Sequence, residues 1–597
     1  MSDYPHENEH GSDSRVRERL LGFGRLESQI SAALVCIATL GALTVMPALG
    51  EEDDRGNSEG ASRHAPNILL ILADDLGYSD VGAFGGEIDT PHLDELASEG
   101  ALLTDFHVAP TCSITRQLLF TGVDDRRRGA PPSPGETRKK NPFFFLNEDS
   151  RTFVDRLQAN GYHTFMAGKW DLSPKGGSAL KAGFNPMDQG FDRAFWLQNG
   201  GGSHYADRRH MLKAPIPTIN YFSNDKPVQS LPDDFYSSDY YTDKLIEFIE
   251  DRQDDSKPFF AFASYTAPHW PLHAPAEVIA KYEATYENGY EPVRTERLRR
   301  QRELGLFTAE HTSAGPNPGW PRWEELSEEL RLRERKRMQV HAAMVDILDQ
   351  NIGRLLRVLK QRGEYDNTLI LFFSDNGADG NDPADLSPEN WLRDNFDNRL
   401  ENIGLPNSYE TMGPNWASVS STPLKLYKAF AADGGTRSPF IAVHKDLVVP
   451  NRVSSAYATV SDIYPTLLAV AGIDPHDPDN APLHSALPKG SSMLGHFSGA
   501  PSVHPEDYVY AVEYWSRKSV RQGPWKATWT NTPFGSERWE LFDMRADVGE
   551  RTDLSSEQPE ILESLIAHYL QYAQQAGVVD DPNFEIRYSN TQSFYTR

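Results

Sequence analysis

The sequence predicts an α/β fold, a mainly parallel sheet between helices with a smaller C-terminal α+β part, and three observations carry that prediction. Asn67-Ile-Leu-Leu-Ile-Leu-Ala73 and Thr368-Leu-Ile-Leu-Phe-Phe373 are apolar runs without alternation, the pattern of strands buried on both faces of a parallel sheet. Met344, Leu348, Ile352, Leu355 and Leu359 recur at helical spacing ahead of the second run, with Gly363 as the stop,. At 597 residues, the chain has room for one large domain and at least one smaller partner.

Residues 1–29 are polar and read as a disordered n-region,. Arg15, Arg17, Arg19 and Arg25 precede an apolar run, Ile30 to Leu49, that closes on Ala48-Leu49-Gly50 before Glu51-Glu52-Asp53-Asp54. A basic region, an apolar stretch and small residues at its exit read as a secretory signal, giving an exported form that begins near Glu51. A periplasmic or secreted protein is expected. Residues 30–50 are also long enough to span a bilayer, so an uncleaved anchor with the catalytic part outside is the alternative. Val35, not a small residue, precedes Cys36 and excludes a lipoprotein reading.

A linker is expected over 51–64, a catalytic domain over 65–490 and a C-terminal subdomain over 491–597. After the first strand, Thr90-Pro91 reads as the cap and first turn of a short helix that stops at Gly100. A long helix is expected over about 326–362. The stretch 293–337, rich in Arg and Glu, reads as a solvated helical insertion,. The chain turns polar and Gly/Ser-rich near Pro488-Lys489-Gly490, which marks the boundary. Beyond it, Trp525-Lys-Ala-Thr-Trp529 and Trp539-Glu-Leu-Phe-Asp543 read as strands, and about 558–576 as a final helix,. There is no internal repeat.

With 59 Lys+Arg against 86 Asp+Glu, the net charge is −27. Such a surface repels nucleic acid and anionic membranes, so neither is an expected partner unless residues 30–50 stay as an anchor. An anionic substrate needs a local basic pocket inside this acidic protein. Of the two cysteines, Cys36 lies in the apolar run, so Cys112 stands alone after export,.

Both apolar strands end in the same chemistry, Asp74-Asp75 after the first and Ser374-Asp375-Asn376-Gly377 after the second. Ligands of open α/β sheets gather at the carboxyl ends of strands, so the two pairs can converge on one site. Three carboxylates and an amide offer only hard oxygen donors, which suit calcium or magnesium rather than zinc. Either pair alone also suits a helix cap or a turn; the two together point to a metal.

Between them lies Thr111-Cys-Ser-Ile-Thr-Arg-Gln117. With Asp74-Asp75-Leu-Gly-Tyr-Ser-Asp80, Gly168-Lys169-Trp170, Ala267-Pro268-His269, Ser374 to Gly377, Pro423 to Lys428 and Gly434-Gly-Thr-Arg-Ser-Pro439, it forms an ordered set. This set resembles the signature segments of the formylglycine-dependent sulfatases, most closely the bacterial arylsulfatases. The resemblance implies an alkaline-phosphatase-like α/β fold with a smaller C-terminal domain, and hydrolysis of a small-molecule or carbohydrate sulfate ester. It implies calcium, more than magnesium, on Asp74, Asp75, Asp375, Asn376 and the group made from Cys112. A formylglycine-generating enzyme would oxidise Cys112; one hydroxyl of the hydrated aldehyde attacks sulfur and the other expels sulfate by re-forming the carbonyl. Arg116 would hold the formylglycine hydroxyl, Lys169 and Lys428 would bind sulfate, and His269 would bind or protonate the leaving oxygen. Three Asp, a divalent ion and three basic side chains leave a net +2 for the sulfate.

Two positions depart from the family pattern. The residue two after the cysteine is usually Pro and here is Ile114, which removes proline's fixed φ from the segment the modifying enzyme reads,. The family's Gly-Lys-Trp-His appears as Gly168-Lys169-Trp170-Asp171. An aspartate about 5 Å from a sulfate costs roughly 3 kcal/mol at an effective dielectric near 20, unless Lys175 or Lys181 neutralises it. The alternatives are a phosphonate or phosphate ester hydrolase of the same superfamily, and a degenerate protein that binds calcium and sulfate without turnover.

Overall fold

The computed structural model describes residues 65–124, 146, 150–173, 180, 183–198, 200–211, 218–317, 319–382, 390–475, 490–578 and 593–595. The expected n-region, apolar run and linker, and the boundary at Pro488-Lys489, lie outside the described residues. Arg63–Arg597 forms one compact unit.

The strand predicted at Asn67 is the centre of the molecule. Among the described residues it belongs to an eleven-stranded sheet, whose longer strands are β1 (Asn67–Asp74), β2 (Ala101–His107), β3 (His163–Lys169), β4 (Arg193–Leu197), β5 (Phe259–Pro268), β6 (Thr368–Ser374) and β7 (Arg437–Val443). Their spatial order is β2-β7-β6-β1-β5-β3-β4. The pairs β6–β1, β1–β5, β5–β3 and β3–β4 are parallel, and β7 is antiparallel to both its neighbours.

The unbroken apolar run of β1 has a direct structural cause. Leu69, Ile71 and Ala73 enter one core, with Val340, Met344 and Leu348 of the long helix and Tyr241, Leu245 and Phe248 of the Ser237–Glu250 helix. Ile68, Leu70 and Leu72 enter the other, with Ile114, Leu118, Leu119 and Phe120 of the Cys112–Thr121 helix. Each fully buried Leu or Ile contributes roughly 1.5–3 kcal/mol. The long helix spans Glu328–Arg362; the Ser327 side chain accepts from Leu330 N, and Gly363 ends it at φ 70°. The C-terminal part is a four-stranded antiparallel sheet, Val509–Tyr514, Arg517–Gln522, Trp525–Trp529 and Trp539–Asp543 in sequential order, covered by the Pro559–Ala576 helix.

Two expectations need correction. Thr90 precedes the Pro91–Glu99 helix, but its side chain does not cap it; the hydroxyl accepts from Gly82 N and donates to Asp94. Asp349 of the long helix does the capping, accepting from His92 N at 3.1 Å and Leu93 N at 2.8 Å,. The Arg/Glu-rich stretch is not simply solvated. In its Tyr290–Glu303 helix, Arg297 is fully buried and pairs with Asp80 and Glu87, each at 2.7 Å, while Glu334 and Arg337 bury a second pair. Most of its charged residues do face water, but Arg297, Glu334 and Arg337 are buried against partners of opposite sign.

Truncating one partner of a buried pair strands the other charge and costs about 3–5 kcal/mol. Arg297→Met is therefore expected to lower the thermal unfolding midpoint by several degrees. Arg299→Met, on the exposed face of the same helix, is expected to leave it unchanged in the same calorimetric scan.

Candidate active site

Four neighbouring parallel strands bring their carboxyl ends to one edge. In the β1–β6 register Ala73 lies opposite Ser374, and Asp375 N donates to Ala73 O at 3.1 Å. The two acidic pairs therefore meet. β5 contributes His269 just past its end, and β3 ends on Lys169. Gly168 is required for the approach of β3 to β5: its φ is +112°, and a Cβ there would lie 1.8 Å from Ser264 O.

Asp74, Asp75, Cys112 and Asp375 each offer a ligand atom, all within 4.8 Å of one another, and all four residues are buried. Asn376 joins them through Nδ2, which donates to Asp75 Oδ1 at 2.6 Å. Asp75 sits at φ 67°, a left-handed conformation that aspartate tolerates better than most residues. Cys112 opens its helix, with Sγ 3.4 Å from Asp74 Oδ1. Ile114, two residues on, is fully buried in the core. Because the first helical bond runs from Thr115 N to Thr111 O, the amide at 114 has no intrahelical partner, and proline's missing N–H costs nothing there.

The cationic residues surround this set. Lys169 Nζ donates to both oxygens of Asp74, at 2.8 and 2.9 Å. Lys428 Nζ bridges Asp75 Oδ1 at 2.6 Å and Asp379 Oδ2 at 3.2 Å. Arg116 Nε donates to Asp375 Oδ2 at 3.0 Å, and its Nη1 to Lys169 O at 2.9 Å and Ser264 Oγ at 2.7 Å. His269 Nδ1 lies 2.6 Å from Trp270 O, so the ring presents Nε2 to the site, 3.5 Å from Asp75 Oδ2. Burial, reinforced by Lys428 and Lys169 against the pull of Asp74, lowers its pKa to about 3, so the imidazole is neutral.

The donor set fits a hard divalent cation. Asp75 Oδ2 and Asn376 Oδ1 are buried without a hydrogen-bond partner. Burial lifts Asp75 and Asp375 above the usual carboxylate range, and neighbouring carboxylates add to it despite Lys428 and Arg116. At Asp74 burial is outweighed by the charges of Lys169, Arg116 and Lys428, and the carboxyl is held low. Burial, with Asp375, pushes the Cys112 thiol well up. Carboxylates driven toward protonation beside unpaired oxygens mark a site short of positive charge.

All the sequence-predicted residues, Asp74, Asp75, Cys112, Arg116, Lys169, Asp171, His269, Asp375, Asn376 and Lys428, gather here. Asp171, at φ 57°, is partly exposed, its Oδ2 4.0 Å from Lys169 Nζ. Lys175 and Lys181 lie outside the described residues. The expected net +2 is corrected: with Asp171 and Asp379 included, five carboxylates face Arg116, Lys169 and Lys428, and a divalent ion brings the site to neutrality. Asp379, Trp270 and Ser264 were missed. Asp379 lies two residues beyond Gly377 and Trp270 directly follows His269, so both stand just outside the motif segments; Ser264 lies inside a strand with no signal of its own.

The model of the sulfatase family matches residues 66–473. An uncharacterized sulfatase of Schizosaccharomyces pombe is 37% identical over 548 residues, covering 88% of this chain and 96% of that protein. An arylsulfatase of Klebsiella aerogenes is 35% identical over 437 residues, covering 70% of this chain and 90% of its own. Among solved structures, that of Ps i-CgsB superimposes with a TM-score of 0.61 at 23% identity, over 89% of this chain and 97% of that one. A structure in complex with its substrate D-glucosamine-2-N,6-O-disulfate gives 0.56 at 20% identity, over 87% of this chain and all of that one. At these identities the structural likeness concerns the fold. The family match, the two curated relatives and the buried Asp/Cys cluster at the sheet edge agree, and the chain belongs to the sulfatase family of sulfuric ester hydrolases, in the alkaline-phosphatase superfamily.

Proposed function

We propose that this protein is an exported, calcium-dependent sulfatase that cleaves sulfate monoesters with a formylglycine made from Cys112. The observation that carries the reading is the convergence of Asp74, Asp75, Cys112 and Asp375 within 4.8 Å, flanked by the ammonium groups of Lys169 and Lys428. A sulfur at Cys112 is the odd donor among hard oxygens, and its burial keeps it a neutral thiol. Oxidation to formylglycine puts oxygen in its place and supplies a nucleophilic hydroxyl and a second hydroxyl for sulfate release. Calcium would be held by Asp74, Asp75, Asp375 and Asn376, and when bound supplies charge that acidifies a hydroxyl and polarises sulfate oxygens.

The remaining work falls to the chain. Lys169 and Lys428 bind the sulfate oxygens, exchanging contacts with Asp74 and Asp75 that the cation relieves. Arg116 fixes Asp375 from one side and the Lys169 backbone from another, so it braces the nucleophile's surroundings. His269 meets the leaving oxygen with Nε2; the negative charge of a bound sulfate raises its proton affinity from the low value burial imposes. Neutrality of the loaded site suits a sulfate monoester, with one charge, better than a phosphate monoester with two. The name of the Klebsiella relative makes aryl sulfates the first substrates to try. Export rests on the apolar run at residues 30–50; none of the described helices is long and apolar enough to cross a membrane.

Side-by-side turnover of nitrophenyl sulfate, phosphate and phosphonate tests the reading. Sulfate is expected to be the fastest, and Cys112→Ala to abolish it. Phosphonate or phosphate turnover exceeding that of sulfate moves the assignment to an ester hydrolase of the same superfamily, and no turnover by protein carrying formylglycine moves it to a non-enzyme. Asp375→Ala is expected to strip calcium, measured by elemental analysis of the dialysed protein, because it removes one of three carboxylates. Full calcium occupancy in that variant would separate the two acidic pairs. Asp171→His is expected to raise kcat/KM for a sulfate monoester, by up to about a hundredfold at roughly 3 kcal/mol, less solvent screening at a partly exposed group. Histidine also tolerates the left-handed φ at 171. A fall in turnover with calcium and formylglycine intact would give Asp171 a role of its own.

A further inference from the structure

Beside the metal carboxylates lies a second cluster, Asp75, His269 and Asp379, and it already contains a cation. Lys428 Nζ stands between Asp75 and Asp379. The carboxylate of Asp379 is buried and fully engaged. Oδ2 accepts from Lys428 at 3.2 Å and from Trp270 Nε1 at 3.0 Å; Oδ1 accepts from Asn381 N at 2.9 Å and Asn381 Nδ2 at 2.7 Å. Asn381 Nδ2 also reaches the Lys428 carbonyl at 3.2 Å. Asp379 thus holds Lys428 directly at the head and, through Asn381, at the backbone carbonyl.

We propose that Asp379 is a positioning residue, which holds the sulfate-binding ammonium of Lys428 and the indole of Trp270 in one rigid unit. This rests on the sulfatase reading above. The argument is one of competition. Asp75, the nearest partner of Lys428, is also a ligand in the proposed calcium set, so with calcium bound its carboxylate would be shared and its hold on the ammonium would weaken. A lysine that loses its partner regains the freedom of a four-carbon stem. Asp379 gives Lys428 a second carboxylate outside the calcium set, so the ammonium stays in place when the ion and the sulfate arrive. The same oxygen fixes Trp270. Its ring lies 4.6 Å from that of His269, its carbonyl is the partner of His269 Nδ1, and a Cβ at Gly201 would come within 2.8 Å of its far edge. Trp270 is clamped, and through it Asp379 orients the imidazole at the leaving oxygen.

The test uses calcium-loaded, formylglycine-containing protein and compares wild type, Asp379→Asn, Asp379→Glu and Trp270→Phe. Three quantities are read: inorganic sulfate affinity by calorimetry, KM and kcat for nitrophenyl sulfate, and calcium content. Asp379→Asn is expected to weaken sulfate at least tenfold and to raise KM by a similar factor with calcium content unchanged, and Asp379→Glu to recover most of the loss. Trp270→Phe keeps an aromatic ring while removing the Nε1 donor and part of the indole; it is expected to lower kcat about threefold while leaving sulfate affinity alone, and it carries the test if Asp379→Asn does not fold. Sulfate affinity within threefold of wild type in Asp379→Asn, or unchanged kcat in Trp270→Phe, overturns the proposal. Loss of calcium from Asp379→Asn also overturns it, by making Asp379 a metal ligand. A wild type that binds no sulfate and turns over no sulfate ester fails at the earlier step, and takes the sulfatase reading with it.

Discussion

In the pairing of β1 with β6, Ala73 lies opposite Ser374, and parallel strands in that register deliver the residues after them to the same edge at the same height. Asp74 and Asp75 follow one strand, Asp375 and Asn376 the other. A slip of one residue would turn every side chain of β1 to the opposite face, exchanging Leu69, Ile71 and Ala73 with Ile68, Leu70 and Leu72 between cores of different shape. The two-sided packing that makes β1 so apolar therefore also fixes where the carboxylates stand. Core and site are one constraint: the register that fills both hydrophobic layers is the register that assembles a cation site.

The cost of that assembly is carried by charge. Five carboxylates in a small volume repel one another, and burial, with that repulsion added, lifts the proton affinities of Asp75 and Asp375. Arg116, Lys169 and Lys428 compensate part of it. Each does so from a different element: Arg116 from the cysteine helix, Lys169 from the end of β3, Lys428 from a loop. A cation and an anionic ester supply and use the remainder. This gives an acidic protein of net charge −27 a place for an anion without a broadly basic surface, and it confines attraction to the few ångströms where chemistry happens.

The legible part of this arrangement in the sequence was whatever has a one-dimensional signature. β1 and β6 announced themselves by unbroken apolar runs, the long helix by its spacing and its terminal Gly363, the acidic pairs by their place after strands. Lys169, His269 and Lys428 have no such signature; only the ordered set of family segments singled them out, and the structure then brought them together. What the sequence did not show was pairing at long range. Arg297 with Asp80 and Glu87 spans over two hundred positions, so an Arg/Glu-rich helix that looks solvated is sewn into the core. Asp349 capping the Pro91–Glu99 helix is of the same kind. So is the neutral balance of the site, which depends on Asp379 being buried against Lys428 and on the partly exposed Asp171 lying 4.0 Å from Lys169.

The C-terminal sheet enters the same account through the loop that carries Lys428. That loop holds two non-glycine residues in the left-handed region, Leu426 at φ 63° and Ala429 at φ 72°, a conformation that persists only where surroundings impose it. They do so from three directions. Lys428 N donates to Ala378 O at 3.0 Å, and Ala429 N donates to Pro110 O at 2.8 Å, just ahead of Cys112. Arg517 of the C-terminal sheet donates to Ala429 O at 2.7 Å and lies over the Phe430 ring at 3.8 Å. The sheet is itself stapled to the catalytic part through Lys526 with Asp433 and Arg521 with Asp105. The family segment Gly434 to Pro439 thus lies beside this staple rather than beside the metal carboxylates. The smaller sheet thus braces the strained loop that places the Lys428 ammonium beside Asp75 and Asp379, and the segment carrying Cys112 is tied to that same loop through the hydrogen bond from Ala429 N to Pro110 O.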